Sequence, residues 1–311
     1  MATVSAAIPR APVLHRRLAQ FAWGTLAYNV AVIVWGAYVR ATGAGAGCGN
    51  HWPLCNGEVI PRAAHIETLI EFSHRVTSGV AAVLVVALCI ACLRVLPKRH
   101  PARVASIVAA ILMFTEALIG AALVKFELVA QNKSIARAIS LPIHSTNTML
   151  LLAAIAVTVL WLPLEDPILH RAKSTWLAVV TLVMLLITTA AGVIAALGDT
   201  LFPNAGMAAD FSASSHFLLR LRVLHPALAV ITAVVIAFFC ARASRENEPT
   251  RRFAGVVGLA VVTQLFLGMM NISLQAPVWL QMLHLAVADV VWIGTVLVAA
   301  QSLVVRQPLS S

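Results

Sequence analysis

Four of the ten histidines in this chain, His74, His144, His225 and His284, stand inside long apolar stretches. An imidazole placed in hydrocarbon is costly and points to function by default. The four open the second, fourth, sixth and eighth hydrophobic segments, each near the same end of its helix. Two helices that face each other can grip one iron between imidazoles. The four therefore read as two axial pairs for two haems, His74 with His144 and His225 with His284. A lone histidine on an apolar face is more often a hydrogen-bonded structural residue; recurrence at matched positions favours ligation. The other six, His15, His51, His65, His100, His170 and His216, fall in tails, loops or a helix edge and read as solvated or interfacial. Two histidines per half, with no cysteine or carboxylate cluster at ligand spacing, do not complete a zinc or di-iron site.

Other chemistry-bearing residues gather around these four. Glu71 precedes His74 by three residues, a spacing that shares a helix face, so it should lie beside the His74 site. At the corresponding place before His225 stands Arg222. Pairing of Glu71 with Arg75 or Arg40 at the membrane boundary is the bland alternative. Glu116 is a second embedded acid, matched by Gln264 in the other half, and reads as a packing or hydrogen-bonding residue. Arg40, Arg75, Arg220 and Arg222 are candidates for haem propionates, because the guanidinium fork suits carboxylates; snorkelling arginines are the competing reading. Cys48 and Cys55 bracket the loop GCGNHWPLCNG, where a disulfide is favoured over a metal site with His51. Cys89, Cys92 and Cys240 lie within apolar segments and read as buried small residues.

The elements that must position these groups are membrane helices. The 311 residues are 60% hydrophobic and 11% charged, with mean hydropathy +0.91, far from a soluble domain. Runs long enough to span hydrocarbon fall near 21–40, 71–96, 104–125, 141–162, 174–197, 217–242, 253–273 and 280–304. The expected fold is an all-α polytopic membrane protein of eight helices. Self-similarity divides it into two four-helix units of parallel sense. Thr115-Glu116 followed by Gly120 is echoed by Thr263-Gln264 followed by Gly268, and Gly36 by Gly192. Small residues such as Gly79 and Gly192 read as ordinary packing, with no chemistry assigned. The units are 21–162 and 174–304, joined by a linker at 163–173 and flanked by tails at 1–20 and 305–311. Residues 1–20 are too polar for a cleaved signal peptide. The net charge of +10 is a matter of topology rather than a nucleic-acid footprint. With the N-terminus inside, fourteen Lys and Arg fall on the inner side against eight outside, which places both termini in the cytoplasm.

The segment GAYVRATGAGAGCGNHWPLCNG, the EFSHR run at 71–75 and the helix-opening His144, His225 and His284 together resemble the haem A synthases, membrane enzymes that complete the haem of cytochrome oxidases. The similarity spans essentially all eight helices. It implies oxidation of the C8 methyl of haem O to a formyl group with water-derived oxygen. It further implies a haem b cofactor held by His225 and His284 in the C-terminal unit, and haem O framed by His74 and His144. Glu71 matches the family's essential acid. Cys48 and Cys55 match the loop cysteines of one bacterial branch, which can form a disulfide; the second pair of that branch is missing from GDTLFPNAGMAADFSASS. Implied partners are the bilayer of the cell inner membrane, haem O, an electron acceptor, and, as candidates, haem O synthase and further copies of the chain.

Two other classes compete. A di-haem cytochrome b-type carrier would stack haems near opposite leaflets, often with two histidines on one helix, whereas this chain has one per ligand helix, all towards one face. A transporter using histidines as proton relays would place binding residues near the midplane on broken helices.

Overall fold

The computed structural model describes residues 13–62, 65–164, 168–169, 174–246 and 248–305. The tail up to residue 12, His170, and the charges Arg10, Arg171, Lys173 and Arg306 lie outside the described residues. Nine helices are present among those described: α1 (Val13–Ala41), α2 (Ile66–Val95), α3 (Pro101–Lys125), α4 (Ile135–Trp161), α5 (Thr175–Leu201), α6 (Phe217–Leu221), α7 (Leu224–Ala243), α8 (Glu248–Ser273) and α9 (Val278–Ser302). They supply eight segments long and apolar enough to cross a membrane, α6 and α7 sharing one. The protein is an all-helical, multi-pass membrane protein. Its described strands are two-residue pieces, Ile168–Leu169 and Val304–Val305, which pair antiparallel.

Helices α1 to α4 pack in a ring, each against its chain neighbour and α4 back against α1. Helices α5, α7, α8 and α9 form a second ring in the same manner, and α1 and α4 lie against α5 and α9. Outward faces carry exposed apolar side chains such as Val83, Phe114, Val234 and Leu259. Lipid offers no hydrophobic drive for helix association, so close contact rests on packing and polar links. Trp292 Nε1 donates to the Met149 carbonyl (2.7 Å), and Arg40 donates to Gln281 Oε1 (3.0 Å), the Ala196 carbonyl (2.8 Å) and Thr200 Oγ1 (2.6 Å).

Most helices begin earlier than hydropathy marks, among them the ligand helices α2, at Ile66 rather than 71, and α4, at Ile135 rather than 141. The first turns of these two are amphipathic, with Glu67 and Thr68 in α2 and Arg137 in α4, so a hydropathy window passes over them. Ser134 caps α4 by accepting from Arg137 N (3.2 Å). His74 consequently sits about 12 Å into α2 rather than within its first turn or two. The sixth span is interrupted at Arg222–Val223. Pro226 has no N–H to offer the Arg222 carbonyl four residues back; His225 N donates to it instead (3.3 Å).

Candidate functional site

The histidines lie at nearly one depth. Arg40, on the last turn of α1, touches Ala196 of α5 and Gln281 of α9, so these three residues share a level. Gly36, which contacts His74, and Gly192, which contacts His225, each stand four residues deeper, about 6 Å along the helix. His284 stands three residues deeper than Gln281, about 4.5 Å. The contact between Trp292 and Met149 puts His144 within about one helical turn of His284.

His225 on α7 and His284 on α9 face one another with ring centres 6.3 Å apart and planes at 86°. Metal–imidazole bonds of about 2.0–2.1 Å, with roughly 1.1 Å more from nitrogen to ring centre, put two trans-axial imidazoles about 6.3 Å apart. The pair therefore has the separation that two ligands of a single iron would need. The Thr188 carbonyl accepts from His225 Nδ1 (3.1 Å), which fixes the tautomer and leaves Nε2 for a metal. The Gln264 amide donates to His284 Nε2 (3.1 Å), while His284 Nδ1 is buried with no partner. Each ring thus keeps one nitrogen clear of protein. Glycines make the room: a Cβ at Gly192 would fall 2.8 Å from His225 Cε1, and one at Gly268 would fall 3.3 Å from His284 Cε1.

In the other half, a Cβ at Gly36 would fall 2.8 Å from His74 Cε1. His74 Nδ1 is buried and unpartnered, as is His144 Nδ1. Glu116 Oε1 approaches His144 Nδ1 to 3.6 Å without a hydrogen bond. Its carboxylate is held from α4 by Asn147 Nδ2 (2.6 Å) and Thr148 Oγ1. Glu116 is thus a hydrogen-bonding residue, one of the two roles its sequence context allowed, and its carboxylate lies beside His144. Its match to Gln264 was the signal, since both flank the histidine of the following helix.

Glu71 is 4% exposed and three residues before His74. Its Oε2 accepts from Cys48 N (2.8 Å), and its Oε1 pairs with Arg75 Nη2 (2.5 Å). Arg75 Nη1 in turn donates to the His51 and Leu54 carbonyls, both 2.7 Å. The two side chains clasp the loop that the Cys48–Cys55 disulfide closes. Gly47 lets that loop settle on α2, since a Cβ there would fall 2.4 Å from the Glu67 backbone. Arg222, three residues before His225, clasps its own loop in the opposite polarity, donating to Asp199 Oδ1 (2.8 Å), Asp210 Oδ1 (2.5 Å) and the Ala205 carbonyl (3.2 Å). Three propionate candidates, Arg40, Arg75 and Arg222, therefore hold protein acceptors, whereas Arg220 is exposed. Cys89, Cys92 and Cys240 are free and buried.

Residues 19–296 match the family described as cytochrome oxidase assembly protein. A Thermus thermophilus protein named protoheme IX farnesyltransferase is 47% identical over 246 residues, covering 76% of this chain and 40% of that protein. A heme A synthase of Alkalihalophilus pseudofirmus is 38% identical over 148 residues, 47% of each chain, and one of Bacillus mycoides is 44% identical over 93 residues, 30% of each. The chain thus spans less than half the length of these relatives. With the family matched over nearly its whole length, the chain belongs to the haem A synthase family of cytochrome oxidase assembly proteins.

Proposed function

We propose that this chain is a haem A synthase, converting the C8 methyl of haem O into a formyl group. The observation that carries this reading is the pairing of His225 with His284 at the spacing of two ligands on one iron, in a chain of this family. His74 and His144 frame the substrate haem O, and His225 and His284 hold haem b. Histidines at one depth set the two haems abreast, which does not suit a wire across the membrane. Methyl plus water gives formyl with release of four protons and four electrons, in two two-electron stages through an alcohol. Bound haem b supplies one-electron transfer towards an external acceptor. Glu71, one turn before His74, is positioned to take up a proton as the alcohol forms or to stabilise developing positive charge. Its ion pair with Arg75 and its bond to Cys48 N orient the carboxylate and hold the disulfide loop over this end of the bundle. The charge bias supports cytoplasmic placement of both termini, and the eight spanning helices a multi-pass place in the cell inner membrane. More than half of the Thermus relative named for farnesyl transfer lies outside the similar region, which supports a haem O synthase as partner.

Haem extraction and chromatography from cells making this chain together with haem O synthase tests the reading. Wild type should yield haem A. Glu71→Gln should retain haem b and accumulate haem O. An unchanged haem A yield in that variant would remove Glu71 from the reaction, and absence of haem A from the wild-type cells would overturn the proposed activity.

A further inference from the structure

The two histidine pairs differ by a coordinated set of three residues. Glu116 is secured beside His144 by Asn147 and Thr148 of α4, and Thr115 Oγ1 braces Asn147 by donating to its Oδ1 (2.7 Å). Beside His284 the corresponding residues are Gln264, Val287 and Ala288, so both the charge and the side chains that hold it are gone. Thr263, the partner of Thr115, turns back to donate to the Leu259 carbonyl (3.0 Å). Of the other charged groups near the sites, Glu71 closes on Arg75 and Arg222 on Asp199 and Asp210, with Arg40 alongside. Asp289, five residues beyond His284 on α9, is buried with neither carboxyl oxygen partnered, but it stands about 7.5 Å deeper along the helix than His284. A carboxylate next to the outer nitrogen of a ligating imidazole raises its basicity and orients it. In a low-dielectric site its charge also favours ferric over ferrous iron. A neutral amide can hold a ring in place but brings no such charge.

We infer that Glu116 is a positioning residue that acts through His144 to hold the iron of the N-terminal haem at a lower reduction potential than that of the C-terminal haem. Electrons then run downhill from the substrate side to the His225–His284 side. The inference rests on the reading of His74 and His144 as the haem O site.

Spectroelectrochemical titration of the purified full chain, loaded with haem b and haem O at fixed pH, reads both potentials separately. Glu116→Gln should raise the N-terminal potential and leave the other in place, by tenfold or more in the ferric-to-ferrous ratio at a fixed poise, about 59 mV. Glu116→Asp should restore most of the difference. Gln264→Glu should lower the C-terminal potential, and it decides the matter should Glu116→Gln fail to load its haem. Unmoved potentials in loaded Glu116→Gln, equal movement of both haems, or an unmoved C-terminal potential in Gln264→Glu would overturn the inference alone. Wild-type protein that takes up only one haem would overturn the two-site reading together with it.

Discussion

Gly192→Ala tests whether the iron-ligand geometry is built into the helices. Gly192 is helical and lies against the His225 ring, and an added Cβ would fall 2.8 Å from Cε1 and 3.0 Å from Nδ1. Ordinary contact at about 3.4 Å requires the ring to retreat by roughly 0.6 Å, against a steep repulsive wall. That retreat stretches the 3.1 Å bond to the Thr188 carbonyl beyond a useful length. Loss of the hydrogen bond costs about 1 kcal/mol, and overpacking adds about 1–3 kcal/mol. Without haem the ring can swing aside, and alanine is favoured over glycine in a helix by up to about 1 kcal/mol, so the fold should persist. The cost therefore appears in haem binding: about 2–4 kcal/mol, or roughly 30- to 700-fold weaker affinity. Gly120→Ala is the matched control, since a Cβ there meets nothing within 4 Å. Absorbance titration of the haem-free variants with haem reads the effect, with haem-to-protein ratio as a check. Gly192→Ala binding haem as tightly as Gly120→Ala would refute the reasoning. Gly36→Ala should show only the overpacking part of that loss at the His74 site, about 1–3 kcal/mol, read on retained haem O, because His74 Nδ1 has no hydrogen bond to break.

Two further outcomes follow from the contacts around the pairs. His284→Met should shift the absorption spectrum of the bound haem by exchanging an imidazole for a thioether; an unaltered spectrum and haem content would contradict ligation by His284. Arg40→Leu should destabilise the bundle by about 1.5–3 kcal/mol, because charged donors to Ala196, Thr200 and Gln281 are lost together. A thermal melt in detergent measures this, and an unchanged melt accompanied by haem loss would return Arg40 to a propionate role.

The helices were legible because hydropathy is a strong signal, and the four histidines stood out as isolated polar residues in apolar runs. The loop disulfide was legible from Cys48 and Cys55 bracketing a short polar segment. The early starts of α2 and α4 were hidden, since amphipathic first turns score poorly in any hydropathy window. Arg40 was legible as an arginine at the membrane boundary but not as a strut, because its acceptors lie 156 to 241 residues away in sequence. The clasp by Glu71 was anticipated only in part. Its partner Arg75 was readable from helical spacing, whereas Cys48 N depends on a loop folding back over α2. Thr188 carried no signal, because the group that orients His225 is its backbone carbonyl, which any residue type supplies. Gly36, Gly192 and Gly268 look like ordinary helix-packing glycines until the facing imidazoles are in place.

On the proposed function, two similar helix rings must keep one haem and release another, and the ring nitrogens suggest how. His225 Nδ1 is tied to the Thr188 carbonyl, and His284 Nε2 to Gln264, so both rings of the C-terminal pair are braced. An acceptor such as the Thr188 carbonyl, taking the outer N–H of a ligating ring, is typically worth 10- to 100-fold in metal affinity; the Gln264 contact fixes the orientation of the His284 ring. His74 Nδ1 has no partner, and His144 Nδ1 has Glu116 nearby at 3.6 Å but no hydrogen bond. Rings without a brace pay their ordering cost when a ligand arrives and recover it when the ligand leaves. Weaker, exchangeable binding on the His74 side suits a substrate that must depart as product, and firm binding on the His225 side suits a resident cofactor. The same difference gives the catalytic reading of Glu71 its physical sense, because a proton-accepting carboxylate is of use only beside the haem that is to be altered.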